Sequence, residues 1–171
     1  MDRARAKTGV VTLVLLLMCS AAGAQRRAEA AGVRIRAAFT GAAVSRAVRG
    51  AARRLREPSC AQVLSDFTDA SGQLLRDNVE ALGMTTDAYL ETLMFRDGTS
   101  QQACRGKRVR ATTMVGSRLV FVCPAFVEAQ LRDPSLGDAI VIHEMLHSLG
   151  LGENPPSSHE ITAMVTRRCV P

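Results

Sequence analysis

All three histidines of this 171-residue chain fall between residues 143 and 159, and two of them frame the string His143-Glu144-Met145-Leu146-His147. No other feature constrains the fold as tightly. On an α-helix, imidazoles four residues apart can act together, because positions i and i+4 stand one turn apart on one face. The surrounding residues agree with a helix. Ile142, Met145, Leu146 and Leu149 fall at i, i+3, i+4 and i+7 and give a core-facing stripe. Asp133-Pro134-Ser135 supplies a start signal and Gly150 a left-handed cap, so the helix is predicted to run to about Leu149. Asp138, near the first turn, is placed to favour the helix dipole. The histidines lie off the apolar stripe, toward a cleft. Two imidazoles so placed can chelate one Zn²⁺ with bonds of about 2.0–2.1 Å. Glu144, beside that face, can serve as general base for a zinc-activated water without ligating the ion.

Around this helix the signals alternate between helix and strand. From Cys60 to Leu82 apolar residues recur at helical spacing, with a break at Ser71-Gly72. Thr86-Asp87 caps a helix carrying Tyr89, Leu90, Leu93 and Met94 that ends at Asp97-Gly98. Val109–Thr113 and Arg118–Cys123 read as two strands joined at Val115-Gly116-Ser117, and Pro124 stops the second. Ser157 to about Arg168 is a last short helix, opened by a capping box of Ser157 and Glu160. The predicted class is α+β, with the histidine-bearing helix packed on a short antiparallel sheet in a small domain spanning residues 58–171. A core of about 114 residues is modest and gains from covalent staples.

The formal net charge of +6 does not belong to that domain. Residues 25–57 carry nine Arg against Glu29 and Glu57, whereas Pro58 to Pro171 carries ten Lys+Arg against thirteen Asp+Glu, a net of −3. The overall charge is therefore no sign of nucleic-acid binding. With no Trp and one Tyr, the chain also lacks the aromatics on which single-stranded bases stack. Residues 1–24 read as a secretory signal peptide: Arg3, Arg5 and Lys7, then the apolar run Val10–Met18, then Ala22-Gly23-Ala24 as cleavage site. That run is too short to span roughly 30 Å of bilayer, so no stable span remains after cleavage. Anchoring as a lipoprotein through Cys19 is the rival reading. Residues 25–57 read as an Ala/Arg-rich flexible arm or pro-segment. A basic helix touching anionic envelope lipid or polymer is the second reading of that stretch.

Loss of the leader leaves Cys60, Cys104, Cys123 and Cys169, and an even count in an exported chain implies two disulfides. Three connectivities are open. The preferred one joins Cys104 to Cys123 across a local hairpin and Cys60 to Cys169 across the ends of the domain. The chain is expected to be secreted or periplasmic, and monomeric.

Extended to Glu153, the histidine string reads H-E-M-L-H-S-L-G-L-G-E. It resembles the metzincin zinc metallopeptidases, whose pattern is H-E-x-x-H-x-x-G-x-x-H with Asp as the last ligand in some members. Glu153 stands at that last position. The longer string L-G-L-G-E-N-P-P-S-S-H-E-I-T is similar to small exported bacterial proteins of metallopeptidase-like type. The resemblance implies a zincin-like domain, Zn²⁺ held by His143, His147 and Glu153, Glu144 as general base, and Gly150 as the turn beneath the metal. His159 is the rival third ligand, or a group for the oxyanion formed in peptide hydrolysis. Met164, the only later Met, falls inside the last helix and is not matched to the family's Met-containing turn. The resemblance further implies a peptide or protein substrate lying antiparallel along either Arg118–Cys123 or Val109–Thr113. A non-catalytic zinc-binding or protein-interaction module of the cell envelope is the alternative function.

Overall fold

The structure, a computed structural model, describes residues 38–170. The signal peptide and residues 25–37 of the expected arm lie outside the described residues. In chain order the elements are α1 (Ala38–Leu55), α2 (Pro58–Ala61) running into a 3₁₀ turn (Gln62–Ser65), α3 (Leu75–Ala81), α4 (Thr86–Glu91), β1 (Met94–Asp97), a 3₁₀ turn (Ala103–Arg105), β2 (Ala111–Thr113), β3 (Leu119–Val122), α5 (Ala125–Arg132), α6 (Pro134–Ser148) and α7 (Ser158–Cys169). The class is α+β, as expected.

Helix α6 sets the architecture. Its N-cap Asp133 accepts hydrogen bonds from the backbone N–H of Ser135 at 2.9 Å and Leu136 at 3.3 Å. Every residue from Gly137 to Leu149 is buried. A helix with no solvent face needs neighbours all round, and α1, α5, α7 and β2 pack against it.

Two of those neighbours were not expected. Residues 38–55, assigned to a flexible arm, form helix α1 and join the same compact unit as residues 58–170. Its buried face is Ala43, Val44, Ala47, Val48, Ala51 and Leu55. Half of that face is alanine, which buries too little area to mark an apolar stripe but lets two helix backbones approach closely. Gly50 lies so near the Asp138 carboxylate of α6 that a Cβ there would overlap it. Asp138 itself is not serving the helix dipole. It is buried and receives a hydrogen bond from Arg54 Nε of α1 at 2.9 Å, while the same guanidinium donates to the Cys169 carbonyl at 2.6 Å and to Ser135 Oγ at 2.9 Å. One arginine thus ties α1 to both α6 and α7. Helix α5 is the other surprise: Pro124 stops β3 but is also the residue that caps α5, whose Phe126 is buried in the core.

The sheet is mixed rather than antiparallel, with strand order β1-β3-β2. β2 pairs antiparallel with β3 in the register Ala111↔Val122, Thr112↔Phe121, Thr113↔Val120, the expected hairpin slightly shortened. β1 pairs parallel with β3, Met94↔Leu119 through Asp97↔Val122. Met94–Asp97 was expected to end a helix. Instead α4 stops at Glu91, and the next residues pair with a strand that lies more than twenty positions later, burying Phe95. Long-range pairing overrides the local helical pattern there.

Both preferred disulfides are formed, Cys60–Cys169 and Cys104–Cys123. The first joins α2 to the end of α7, where Arg168 also grips Asp66 through two hydrogen bonds of 2.8 and 2.7 Å. Helix α7 opens with the expected capping box of Ser157 and Glu160. Among the described residues no helix is long and apolar enough to cross a membrane.

Candidate metal centre

His143 and His147 sit one turn apart on α6, both buried, and their Nε2 atoms approach each other to 3.0 Å. Each ring is oriented by its other nitrogen. His147 Nδ1–H donates to the Leu151 carbonyl at 2.8 Å, and because a carbonyl only accepts, this leaves Nε2 with its lone pair free. His143 Nδ1 pairs with Thr162 Oγ1 of α7 at 3.0 Å, a hydroxyl that can accept from Nδ1–H and is compatible with the same tautomer. Such outer partners of both imidazoles are a recurrent feature of metal-ligating histidines.

The turn after α6 completes the group. Gly150 has φ +111°, a conformation that side chains rarely adopt. The N–H of Gly150 bonds the His147 carbonyl at 3.0 Å and that of Leu151 the Leu146 carbonyl at 3.1 Å, the paired bonds of a Schellman cap. Asn78 of α3 braces the turn, donating to the Leu149 carbonyl and to Asp69 at 3.0 Å each. The reversed chain returns Glu153 to the histidines, its Oε1 3.2 Å from His147 Nε2 and 3.7 Å from His143 Nε2.

These three residues could hold a metal ion. A tetrahedral ion with bonds of about 2.0–2.2 Å needs ligand atoms about 3.3–3.6 Å apart, and the observed separations of 3.0, 3.2 and 3.7 Å bracket that range. His159, by contrast, is exposed on the first turn of α7 and is not part of this group. Met164 lies on α7, partly buried against the core.

Glu144 is brought to the same place without joining the cluster. Its side chain is buried and Oε2 has no hydrogen-bond partner, as is also true of Thr113 Oγ1 on β2. Burial pushes the Glu144 carboxyl up to about 7; the Thr113 hydroxyl tempers the rise and the Glu153 charge adds to it. Burial, and then the neighbouring His147, hold His143 far down, at about 3. A cleft of about 590 Å³ opens on His143, Glu144, His147 and Glu153, walled by β2, by the hairpin tip Met114-Val115 and by Ala103. A second groove of about 690 Å³, between residues 66–70 and 151–156, reaches Glu153 from its other side.

Sequence reasoning missed Thr162, the Leu151 carbonyl and Thr113 as parts of the site. The only trace of them in the chain was that Thr162 lies on a predicted helix and Thr113 on a predicted strand. No family model, curated protein or solved structure matches the chain.

Proposed function

We propose that the chain is an exported zinc-dependent metallopeptidase of metzincin-like type. The observation that carries this reading is the convergence of His143 Nε2, His147 Nε2 and Glu153 Oε1 beside an unpartnered buried carboxylate, Glu144, on one open cleft. His143, His147 and Glu153 would hold Zn²⁺, whose bound chemistry is that of a Lewis acid that polarises a carbonyl and makes water more acidic. The remaining steps belong to the protein. Glu144 takes the proton of the attacking water on its carboxylate and returns it to the leaving amine, so the C–N bond breaks as a neutral amine departs. Thr113, whose hydroxyl is also unpaired, stands on the same cleft wall as that carboxylate. Of the two strands considered as substrate platforms, β3 is central and fully paired, whereas β2 is an edge and lines the cleft. An extended peptide can therefore add to β2 through backbone hydrogen bonds. The two grooves meet at Glu153, so the peptide has room on both sides of the reacting bond. Export rests on the leader sequence and fits the two disulfides, which persist in oxidising compartments.

The test is metal analysis of tag-free protein together with cleavage of a broad peptide library. Stoichiometric zinc, chelator-sensitive cleavage, and a Glu144→Gln variant that keeps its metal but cleaves at least a hundredfold more slowly (roughly the contribution of a general base) are the expected results. A variant as fast as the parent refutes the mechanism. Retained metal with no cleavage by the parent favours the non-catalytic zinc module, and protein without metal removes both readings.

A further inference from the structure

Helix α1 hides its apolar side in the core and turns a line of arginines outward. Arg46, Arg49 and Arg53 are all exposed, and their spacing of three and four residues places them on one helical stripe. None of the three forms an ion pair among the described residues. They line a groove of about 380 Å³ that α1 forms with the end of α5 and the start of α6. Among the described residues the one carboxylate in that groove, Asp138, is already hydrogen-bonded by Arg54 at 2.9 Å and feels Arg53 only at longer range, so the outward arginines outnumber the anions there. Three guanidiniums fixed on a packed helix are a standing attraction for an anion, and the remainder of the folded chain, from Pro58 on, has the opposite net charge.

The layout identifies the kind of anion. From Arg46 to Arg53 the stripe runs about 10 Å along the helix, so the guanidiniums are spread in a row instead of converging on a single phosphate. Beside them Leu131, at the end of α5, leaves 54% of its surface exposed. A row of charge next to an isolated apolar side chain matches a surface that repeats its phosphates and has hydrocarbon just beneath them. The sequence before α1 adds Arg26, Arg27, Arg34 and Arg36 to the same end of the chain. We propose that this face of α1 is a membrane-docking surface for anionic phospholipid headgroups. It shares no residue with the metal cleft, and it does not depend on the peptidase reading.

The test is binding of the mature chain to vesicles of phosphatidylcholine with and without phosphatidylglycerol. The parent is expected to bind only the phosphatidylglycerol vesicles, and to release as salt is raised. Each arginine near such a surface contributes about fivefold, so R46A/R49A/R53A should bind about a hundredfold more weakly. R46K/R49K/R53K keeps the charge and should stay close to the parent. R105A/R108A/R110A removes an equal number of exposed positive charges outside the stripe, where the per-charge scale for groups at the membrane does not apply, and should change binding far less than the first triple. Equal losses in the two alanine triples reduce the effect to overall charge and overturn the proposal. Tighter binding to polyglutamate than to the vesicles, or displacement from vesicles by millimolar inorganic phosphate, also overturns it, in favour of a polymer or a small-anion site.

Discussion

Replacing Arg54 by Met removes a guanidinium that satisfies three groups at once, the Asp138 carboxylate, the Cys169 carbonyl and Ser135 Oγ. The methionine keeps much of the packing volume and takes away the charge. Breaking a buried pair by deleting one partner costs about 3–5 kcal/mol. The Asp138 side chain is only 8% exposed, but that of Arg54 is 22% exposed and water can follow it in, so the low end applies, about 3 kcal/mol. In a domain of this size that is a fall in Tm of about 10 °C. Adding Asp138→Asn removes the stranded charge and should recover about 2 kcal/mol, leaving roughly the net worth of the lost hydrogen bonds. The loss should also depend on pH. Burial already lifts the Asp138 carboxyl above its usual range while Arg54 pulls it back. Without Arg54 it rises further, and a carboxyl whose folded pKa lies above its unfolded value loses stability as pH climbs through the unfolded value. The R54M penalty is therefore smallest below the unfolded value of 3.8 and grows as pH climbs above it. Urea denaturation of parent, single and double variants at acid and neutral pH measures all of this. A single variant within about 1 kcal/mol of the parent at neutral pH, or a double variant no better than the single, refutes the account of α1 as part of the core.

Thr162→Val removes the partner of His143 Nδ1 while preserving shape, and should weaken metal binding about 10–100-fold with little change in unfolding midpoint; competition with a chromogenic chelator reads the affinity. Opening Cys60–Cys169, which closes 109 residues, should cost more than opening Cys104–Cys123, which closes 19. Chain entropy puts the two at about 4.7 and 3 kcal/mol, and paired Cys→Ala variants in chemical denaturation test the order. Hydrogen bonds from Ser71 and Asn78 hold Asp69 well below the usual carboxylate range, at about 2. A depressed folded pKa contributes stability that is present above the unfolded value of 3.8 and is lost as pH falls toward 2. Asp69→Asn should flatten that part of the stability profile, as read by thermal melts across the acid range.

The parts of this protein that were legible in its sequence are those whose signals are local. The cap at Asp133, the Gly150 stop, the Ser157/Glu160 box and the β2–β3 hairpin each depend on residues a few positions apart, and all are present. What was not legible depends on partners far along the chain. Arg54 finds Asp138 across 84 positions, and β1 pairs with β3 although β2 lies between them in the chain. Helix α1 was hidden for a different reason: its core face is built half of alanine and its other face of arginine, so its composition imitates a solvated tail even though one side of every turn from Ala43 to Leu55 is buried.

The candidate metal site falls between these two cases. The histidine pair was fixed by helical periodicity alone, but the choice between Glu153 and His159 was not, since both are chemically competent ligands. The deciding factor is backbone direction. The Schellman cap at Gly150 reverses the chain three residues before Glu153 and uses the next carbonyl, that of Leu151, to orient His147. His159 lies beyond Pro155-Pro156 on the exposed first turn of α7, while it is the inner side of that same helix, through Thr162, that supports His143. One turn thus stops the helix, sets the tautomer of one histidine and delivers the carboxylate. A Gly150→Ala substitution would meet both the disfavoured φ of +111° and Asp69 Cβ at 2.9 Å, and should disturb all three together.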